Sequence, residues 1–200
     1  MGKARVKRWQ LERAKHRKLM LVAFAVMQSA FVLEIGAGLA ASSAALQIDA
    51  LETVETKTVS DSVITPRWSG AQGKRLEQTA GILALAFCAW TVAVAIWNHV
   101  NDILPNAIIM AAASGLIFVV NAVVFALLYR ARIGSAKMRA AWAGARNDML
   151  GAGVVLCAAG GVWVTGACWP DALALAVLLP FAARRAILTM RAPSPPTSAA

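Results

Sequence analysis

The chain carries an acidic segment directly after an apolar run. Residues 45–60 read ALQIDALETVETKTVS and contain three carboxylates, and residues 44–65 contain neither Gly nor Pro. At 100° per residue, spacings of three, four and seven residues place a group of polar side chains on one helical face. The members of this group are Asp49, Glu52, Thr53, Thr56 and Ser60. Clustered carboxylates are suitable ligands for divalent cations, and they can also relay protons within a membrane.

A second polar group lies at the start of a later apolar run, in WAGARNDMLGAG, residues 142–153. Gly144, Asp148 and Gly151 share one face of a helix, because they are spaced by four and then three residues. Small residues allow a neighbouring helix to approach closely. We therefore expect the acidic segment to pack against this face and to bring Asp148 opposite Asp49 and Glu52.

The composition indicates the class of protein that must position these groups. Of the 200 residues, 59% are hydrophobic and 15% are charged, whereas about a quarter of the residues in a soluble domain are charged. Runs of roughly 20 apolar residues are long enough to cross a bilayer as helices. The clear runs are Leu19–Ala41, Thr79–Val100, Leu104–Leu128 and Gly151–Gly166. A shorter run, Ala172–Ala183, ends at two arginines whose long side chains can extend its effective span. We therefore predict an all-α, polytopic membrane protein.

The distribution of cations predicts the number of crossings. Lys and Arg occur in the N-terminal arm, in residues 66–78, in residues 130–139 and after Ala183, but not in the turns near Ser42, at 98–106 and at 166–171. Because basic segments stay on the cytoplasmic side, the arm and residues 66–78 share one side. The acidic segment must then cross back. We predict six transmembrane helices in the cell inner membrane, with both termini cytoplasmic.

This topology divides the chain into a basic cytoplasmic arm, 1–18, a six-helix domain, 19–189, and a disordered tail, 190–200. An acid at mid-bilayer costs about 2.5–3.5 kcal/mol on insertion scales, so the polar face should look into the bundle. Two alternatives stay open for the acidic segment: a helix lying on the membrane surface, and a polar seam that transports nothing.

Other features favour a membrane role over catalysis or nucleic-acid binding. The net charge of +10 comes from cations that flank apolar runs, where they orient the protein and attract anionic lipid, so we expect no nucleic-acid partner. Cys88, Cys157 and Cys168 have no CxxC spacing and suit packing roles. His99 could be a metal ligand at a helix end, or simply a solvated turn residue. We find no Ser/His/Asp set, HExxH or nucleotide motif, so we expect no enzyme and no resident cofactor.

The sequence resembles the cation diffusion facilitators, and in particular short cobalt/zinc/cadmium-exporter-like members that lack the soluble C-terminal domain. Three stretches carry the resemblance, which extends over about residues 19–189. They are LEIGAGLAASSAALQIDALE, LPNAIIMAAASGLIFVVNAVVFALLYRAR, and KMRAAWAGARNDMLGAGVVL together with GACWPDALALAV.

The resemblance implies a metal site formed by two pairs of ligands on the second and fifth helices. Carried onto this chain, the positions are Glu52 with Thr56 and Gly144 with Asp148, while Asp49 matches an acid one turn earlier and Asn147 matches an RND motif. Thr56 and Gly144 bring no charged ligand. Arg146 could in addition neutralise an acid of the site.

We therefore expect a divalent-cation exporter that exchanges zinc, cobalt or cadmium for protons. The expected metal ligands are Asp49, Glu52, Thr56, Asn147 and Asp148. The resemblance also implies a homodimer in the lipid bilayer. A degenerate, non-transporting bundle with a structural or regulatory role is the alternative, and an exporter of small cations or drugs that uses the same acids is a third reading.

Overall fold

The computed structural model of the chain describes Ala25 and residues 29–54, 71–131 and 136–191. Six helical segments follow one another in this part of the chain. They are α1 (Ser29–Ala41), α2 (Ala44–Val54), α3 (Ala71–Val100), α4 (Ala107–Ala131), α5 (Ala136–Thr165) and α6 (Trp169–Arg191). The predicted all-α class is confirmed for these residues.

Four of the helices are long and apolar enough to cross a membrane, which identifies a multi-pass membrane protein. Their candidate spans are Gln78–Val100, Ala107–Tyr129, Trp142–Thr165 and Trp169–Arg191. The span in α5 begins at Trp142, nine residues before the predicted run, so the RND motif lies inside the helix. The described parts of α1 and α2 have 13 and 11 residues, fewer than the roughly 20 that a crossing needs. The count of six crossings therefore stays a prediction.

Three turns meet at one end of the bundle, which we call the turn face. It comprises residues 42–43, 101–106 and 166–168, which separate α1 from α2, α3 from α4, and α5 from α6. The Asn98 side chain donates a hydrogen bond to the Ser42 carbonyl at 2.6 Å, and the Asn106 amide donates to the Ala41 carbonyl at 2.9 Å. These contacts bring together the turns that contain no Lys or Arg.

Three exposed cations, Lys74, Arg139 and Arg191, lie at the opposite end of the bundle. Lys74 is about 36 Å along the axis of α3 from Asn98. Arg139 lies in the first turn of α5, and Arg191 is the last residue of α6. The predicted separation of cation-free turns from basic segments is thus present in the fold, and we call this second region the basic end.

Helix α2 occupies the middle of the bundle. It contacts α3, α5 and α6, and every side chain from Ala44 to Leu51 is buried. Leu46 and Ile48 have no exposed surface, although they lie on different faces from Asp49. A helix lying on the membrane surface would expose one face, so the structure excludes that alternative for Ala44–Leu51. It also shows that the apolar side chains of this stretch point into protein rather than into lipid.

Small side chains allow this close enclosure. The core around α2 contains alanines from all five other helices, represented by Ala41, Ala84, Ala113, Ala159 and Ala182. Transmembrane helices associate through close van der Waals packing, which small residues favour. Helices α4 and α5 pack along each other, as do α3 and α6, and these contacts bring α3, α5 and α6 around α2.

Candidate functional site: a buried aspartate pair

The position of Asp49 is set at the turn face, where α2 begins. The Ser43 hydroxyl accepts a hydrogen bond from the Leu46 amide at 3.1 Å, as Ser does at a helix N-cap. The Asp171 carboxylate of α6 accepts hydrogen bonds from the Ser43 hydroxyl at 2.6 Å and from the amides of Ala44 and Ala45 at 2.9 and 3.3 Å. A carboxylate at a helix N-terminus also interacts favourably with the helix dipole. Helix α2 therefore starts from a fixed point.

Five residues into α2, the Asp49 side chain lies against Gly151 of α5. Oδ1 of Asp49 occupies the space that a Cβ atom at position 151 would take. Asp49 is only 2% exposed. A larger residue at position 151 would displace the carboxylate from this place. This contact confirms the predicted close approach of the acidic segment to the Gly144–Gly151 face.

Asp148 lies one turn from this contact on the same helix. It is also 2% exposed, and its Cα is about 4.5 Å along the α5 axis from that of Gly151. Gly151 itself is about 13 Å along the axis from Trp142 and about 21 Å from Thr165, the ends of the candidate span. Asp49 thus faces the interior of the bundle near the middle of the α5 span, and Asp148 is buried in the same span about 9 Å along the axis from Trp142.

The other predicted ligands of the acidic segment are not placed by the structure. The backbone of Glu52 belongs to α2, but its side chain lies outside the described part of the chain, as does Thr56. Their proposed roles as ligands stay predictions. On a helix Glu52 is one turn from Asp49, on its side toward the basic end.

Asn147 faces a different environment from Asp148. It lines a cavity of about 210 Å³ between α5 and α6, which is otherwise mainly apolar and also contains Arg185. Asn147 is half-buried. Consecutive residues of a helix are rotated by about 100°, so Asn147 and Asp148 serve different surfaces. Because the Arg185 guanidinium lines the same cavity, its positive charge disfavours a metal ion there.

Arg146 lies on the outside of α5. Its side chain is exposed, and its guanidinium carbon lies 5.9 Å from the centre of the Trp142 ring. This is the distance range of a cation–π contact. Asp148 is about 200° away from Arg146 around the helix, so the observed position of Arg146 gives no support to its predicted role of neutralising the buried acid.

Two further buried polar residues, Glu34 of α1 and Asn121 of α4, lie within one turn of a small cluster that includes α5. Ala30, Ile117 and Ala152 form a small cluster that joins α1, α4 and α5. Glu34 follows Ala30 by one turn toward the turn face, whereas Asn121 of α4 and Asp148 lie one turn toward the basic end. Glu34 is 0% and Asn121 2% exposed.

In the sequence, Glu34 and Asn121 are single polar residues within apolar runs. Their isolated positions give no local pattern, which is why the sequence alone does not connect them with Asp148. Among the described residues, Nδ2 of Asn121 is buried without a hydrogen-bond acceptor. It is a donor available to a polar ligand at this depth.

The donor set fits a cation only in part. Within residues 29–54, 71–131 and 136–191, no group of three or more His, Cys, Asp or Glu side chains is arranged to hold a metal ion. Two carboxylates on neighbouring helices can accept protons or share one cation, and the remaining coordination positions would fall to amide oxygens or water. The arrangement suits weak, exchangeable binding better than a permanent metal centre.

Comparison with known proteins does not assign the chain to a family. No protein-family model matches the sequence, and no curated protein matches it either. The likeness to cation diffusion facilitators therefore rests on the quoted motifs alone.

Proposed function

We propose that this protein is a cation transporter of the cell inner membrane that exports a divalent metal ion, zinc- or cobalt-like, in exchange for protons. Asp49 and Asp148 would bind the ion between α2 and α5, and Glu52 would extend the path toward the basic end. The observation that carries the proposal is the burial of both aspartates, Asp148 within the candidate span of α5 and Asp49 against Gly151 of the same span.

The physical argument starts from the cost of charge in a membrane. Ionisable residues within membrane spans are rare and usually mark an ion or proton path, because each is expensive to bury without a partner. Two neighbouring carboxylates repel each other when both are charged, and a dication or protons between them relieve that repulsion. Binding a dication displaces protons from carboxylates. Asp49 and Asp148 could therefore exchange a metal ion for protons.

The orientation follows the distribution of charge. Positive segments favour the cytoplasmic side, so the basic end would face the cytoplasm and the turn face would face outward. Export would then move the cation from the basic end through the level of Gly151 to the turn face. The dimer that the family resemblance implies would leave this route inside each protomer.

The test is uptake of zinc or cobalt into inverted membrane vesicles under an imposed pH gradient. Asp49→Asn and Asp148→Asn should each lower the rate by at least about tenfold, which corresponds to about 1.4 kcal/mol. Asp102→Asn is the matched control, since Asp102 is an exposed carboxylate in a turn and undergoes the same chemical change. Full activity of Asp148→Asn would show that the proposed site is wrong.

A non-transporting bundle is the second candidate, and one observation favours it: the described residues contain no complete set of metal ligands. Calorimetry on the purified protein separates the two candidates. If Asp148→Asn leaves the metal binding of the parent unchanged and the double variant Thr56→Asp/Gly144→His gains a binding site, the bundle has the architecture of a metal site without its ligands. Metal binding by the parent that Asp148→Asn abolishes would exclude this alternative.

A further inference from the structure

A thiol and an imidazole lie side by side on the turn face, far from the aspartate pair. Sγ of Cys168 is 3.6 Å from Nδ1 of His99, although 69 positions separate the two residues in the chain. His99 belongs to the last turn of α3 and is exposed, and Cys168 directly precedes α6 and is half-buried. The fold, rather than the local sequence, brings them together.

The backbone on the His99 side is held by neighbouring groups. Asn98 is buried, and its side chain donates to the Ser42 carbonyl. The Asn98 carbonyl accepts a hydrogen bond from the Ile103 amide at 2.9 Å. The end of α3 is therefore tied both to the first turn and to its own loop.

The backbone on the Cys168 side is held as well. Gly166 takes a positive φ of 61°, a conformation that glycine adopts at little cost and that commonly ends a helix. Pro170 packs on Gly161 so closely that a Cβ there would lie 2.9 Å from the proline ring. Asp171 is bound to the start of α2. Both halves of the thiol–imidazole pair thus have defined positions.

The separation of the pair matches the ligand spacing of a tetrahedral metal ion. With Zn–S of about 2.3 Å and Zn–N of about 2.0–2.1 Å at the tetrahedral angle, the sulfur and nitrogen ligands are about 3.6 Å apart. The observed distance is 3.6 Å. Thiolate and imidazole are also the donor types that zinc and related borderline cations prefer.

The surroundings leave such an ion open to solvent. His99 is exposed, and the three turns of this face contain no Lys or Arg in their sequence, so no cation of these turns opposes a metal ion. Two protein ligands leave two tetrahedral positions to water, and an open position distinguishes exchangeable sites from closed structural ones.

We propose that Cys168 and His99 form a second cation site, on the turn face, which takes zinc or a similar thiophilic divalent cation. The Cys168 thiol releases its proton to solvent as the thiolate–metal bond forms, His99 binds through neutral Nδ1, and no group changes oxidation state. This site is separate from the aspartate pair, because it lies outside the bundle interior. If the protein exports metal, it is the place where the ion pauses before leaving.

The experiment measures protection of thiols from a maleimide in the purified full-length protein in detergent, with each cysteine followed by peptide mass spectrometry. Zinc should slow the labelling of Cys168 by at least about tenfold, as expected when a thiolate is held by a metal. It should leave Cys157 unchanged, because Cys157 is an exposed cysteine on the surface of α5 and serves as the internal control. Excess EDTA should restore the labelling of Cys168.

Variants decide whether the imidazole takes part. His99→Gln should remove most of the protection, and Cys168→Ser should abolish the thiolate-to-cobalt charge-transfer absorption that the parent shows with Co²⁺. Asp148→Asn should keep both signals, so that failure of the transport proposal and failure of this one are distinguishable. Equal protection of Cys157, unchanged protection in His99→Gln, or loss of both signals in Asp148→Asn would each overturn the proposal.

Discussion

Two aspartates of this protein have the same exposure, 2%, but different surroundings. Asp171 at the turn face accepts three hydrogen bonds from the start of α2, whereas Asp49 lies against Gly151 on the helix that carries Asp148. The first carboxylate has the partners of a structural cap. The second lies against the helix that carries another buried acid, Asp148. Burial alone therefore does not identify a functional carboxylate, and the groups placed around it do.

The largest effect on stability should follow from removing the cap. Asp171→Ala leaves the Ser43 hydroxyl and the amides of Ala44 and Ala45 without their acceptor, and we expect a loss of about 3 kcal/mol in the free energy of unfolding, because hydrogen bonds to charged groups are each worth about 1.5–3 kcal/mol. Titration with a denaturing detergent, followed by circular dichroism, measures it. Asp102→Asn is the control, since Asn tolerates the positive φ of 51° at that position. Equal stability of Asp171→Ala and the parent would contradict the structural role.

The second effect concerns the contact between α2 and α5. Gly151→Ala forces the Asp49 carboxylate from its place, and overpacking of this kind costs about 1–3 kcal/mol. Gly160→Ala is the matched control on the same helix, because the space around Gly160 is open to 4 Å, and alanine there should be neutral or stabilising by up to about 1 kcal/mol. If the two variants change the free energy of unfolding by the same amount in the same denaturation assay, Gly151 is not a contact point.

The two regions also differ in how far the sequence predicts them. The spacing of Gly144, Asp148 and Gly151 predicts that a helix approaches there, and Asp49 confirms it, because the signal is local and periodic. Three turns free of Lys and Arg predict a common end, and their hydrogen bonds confirm that as well. The membrane class follows from composition alone.

Long-range contacts account for what the sequence does not predict. The sequence GACWPD suggests that Asp171 is part of a turn. In the structure its carboxylate caps α2, whose Ala44 amide is 127 positions away in the chain. The polar face of α2 predicts apolar side chains toward lipid, but Leu46 and Ile48 are enclosed by protein because other helices close around them. Asn147 and Asp148 are grouped as ligands by their motif. They are nevertheless on different faces of α5, because consecutive residues of a helix are rotated by about 100°. Whether either aspartate binds metal stays a prediction.

A smaller effect should come from the polar link between α3 and α2. Nε1 of Trp90 donates a hydrogen bond to the side-chain oxygen of Gln47 at 3.0 Å. Gln47 precedes Asp49 by two residues on α2. Trp90→Phe removes this donor and should cost about 0.5–1.5 kcal/mol. Trp97→Phe on the same helix is the control, because Trp97 has a similar exposure, 64% against 53% for Trp90. A larger loss in Trp97→Phe would show that ring area, and not the hydrogen bond, determines the result.

The smallest effect on stability should occur at Asp49 itself. Asp49→Asn keeps the shape of the side chain and an oxygen that can lie against Gly151, so the free energy of unfolding should change by no more than about 1 kcal/mol. Detergent denaturation of this variant beside Asp171→Asn provides the comparison, since the same chemical change at Asp171 weakens a cap. A loss at Asp49 as large as at Asp171 would make it a second structural acid. A stable variant that no longer transports metal would instead mean that the carboxylate contributes to ion binding and not to folding.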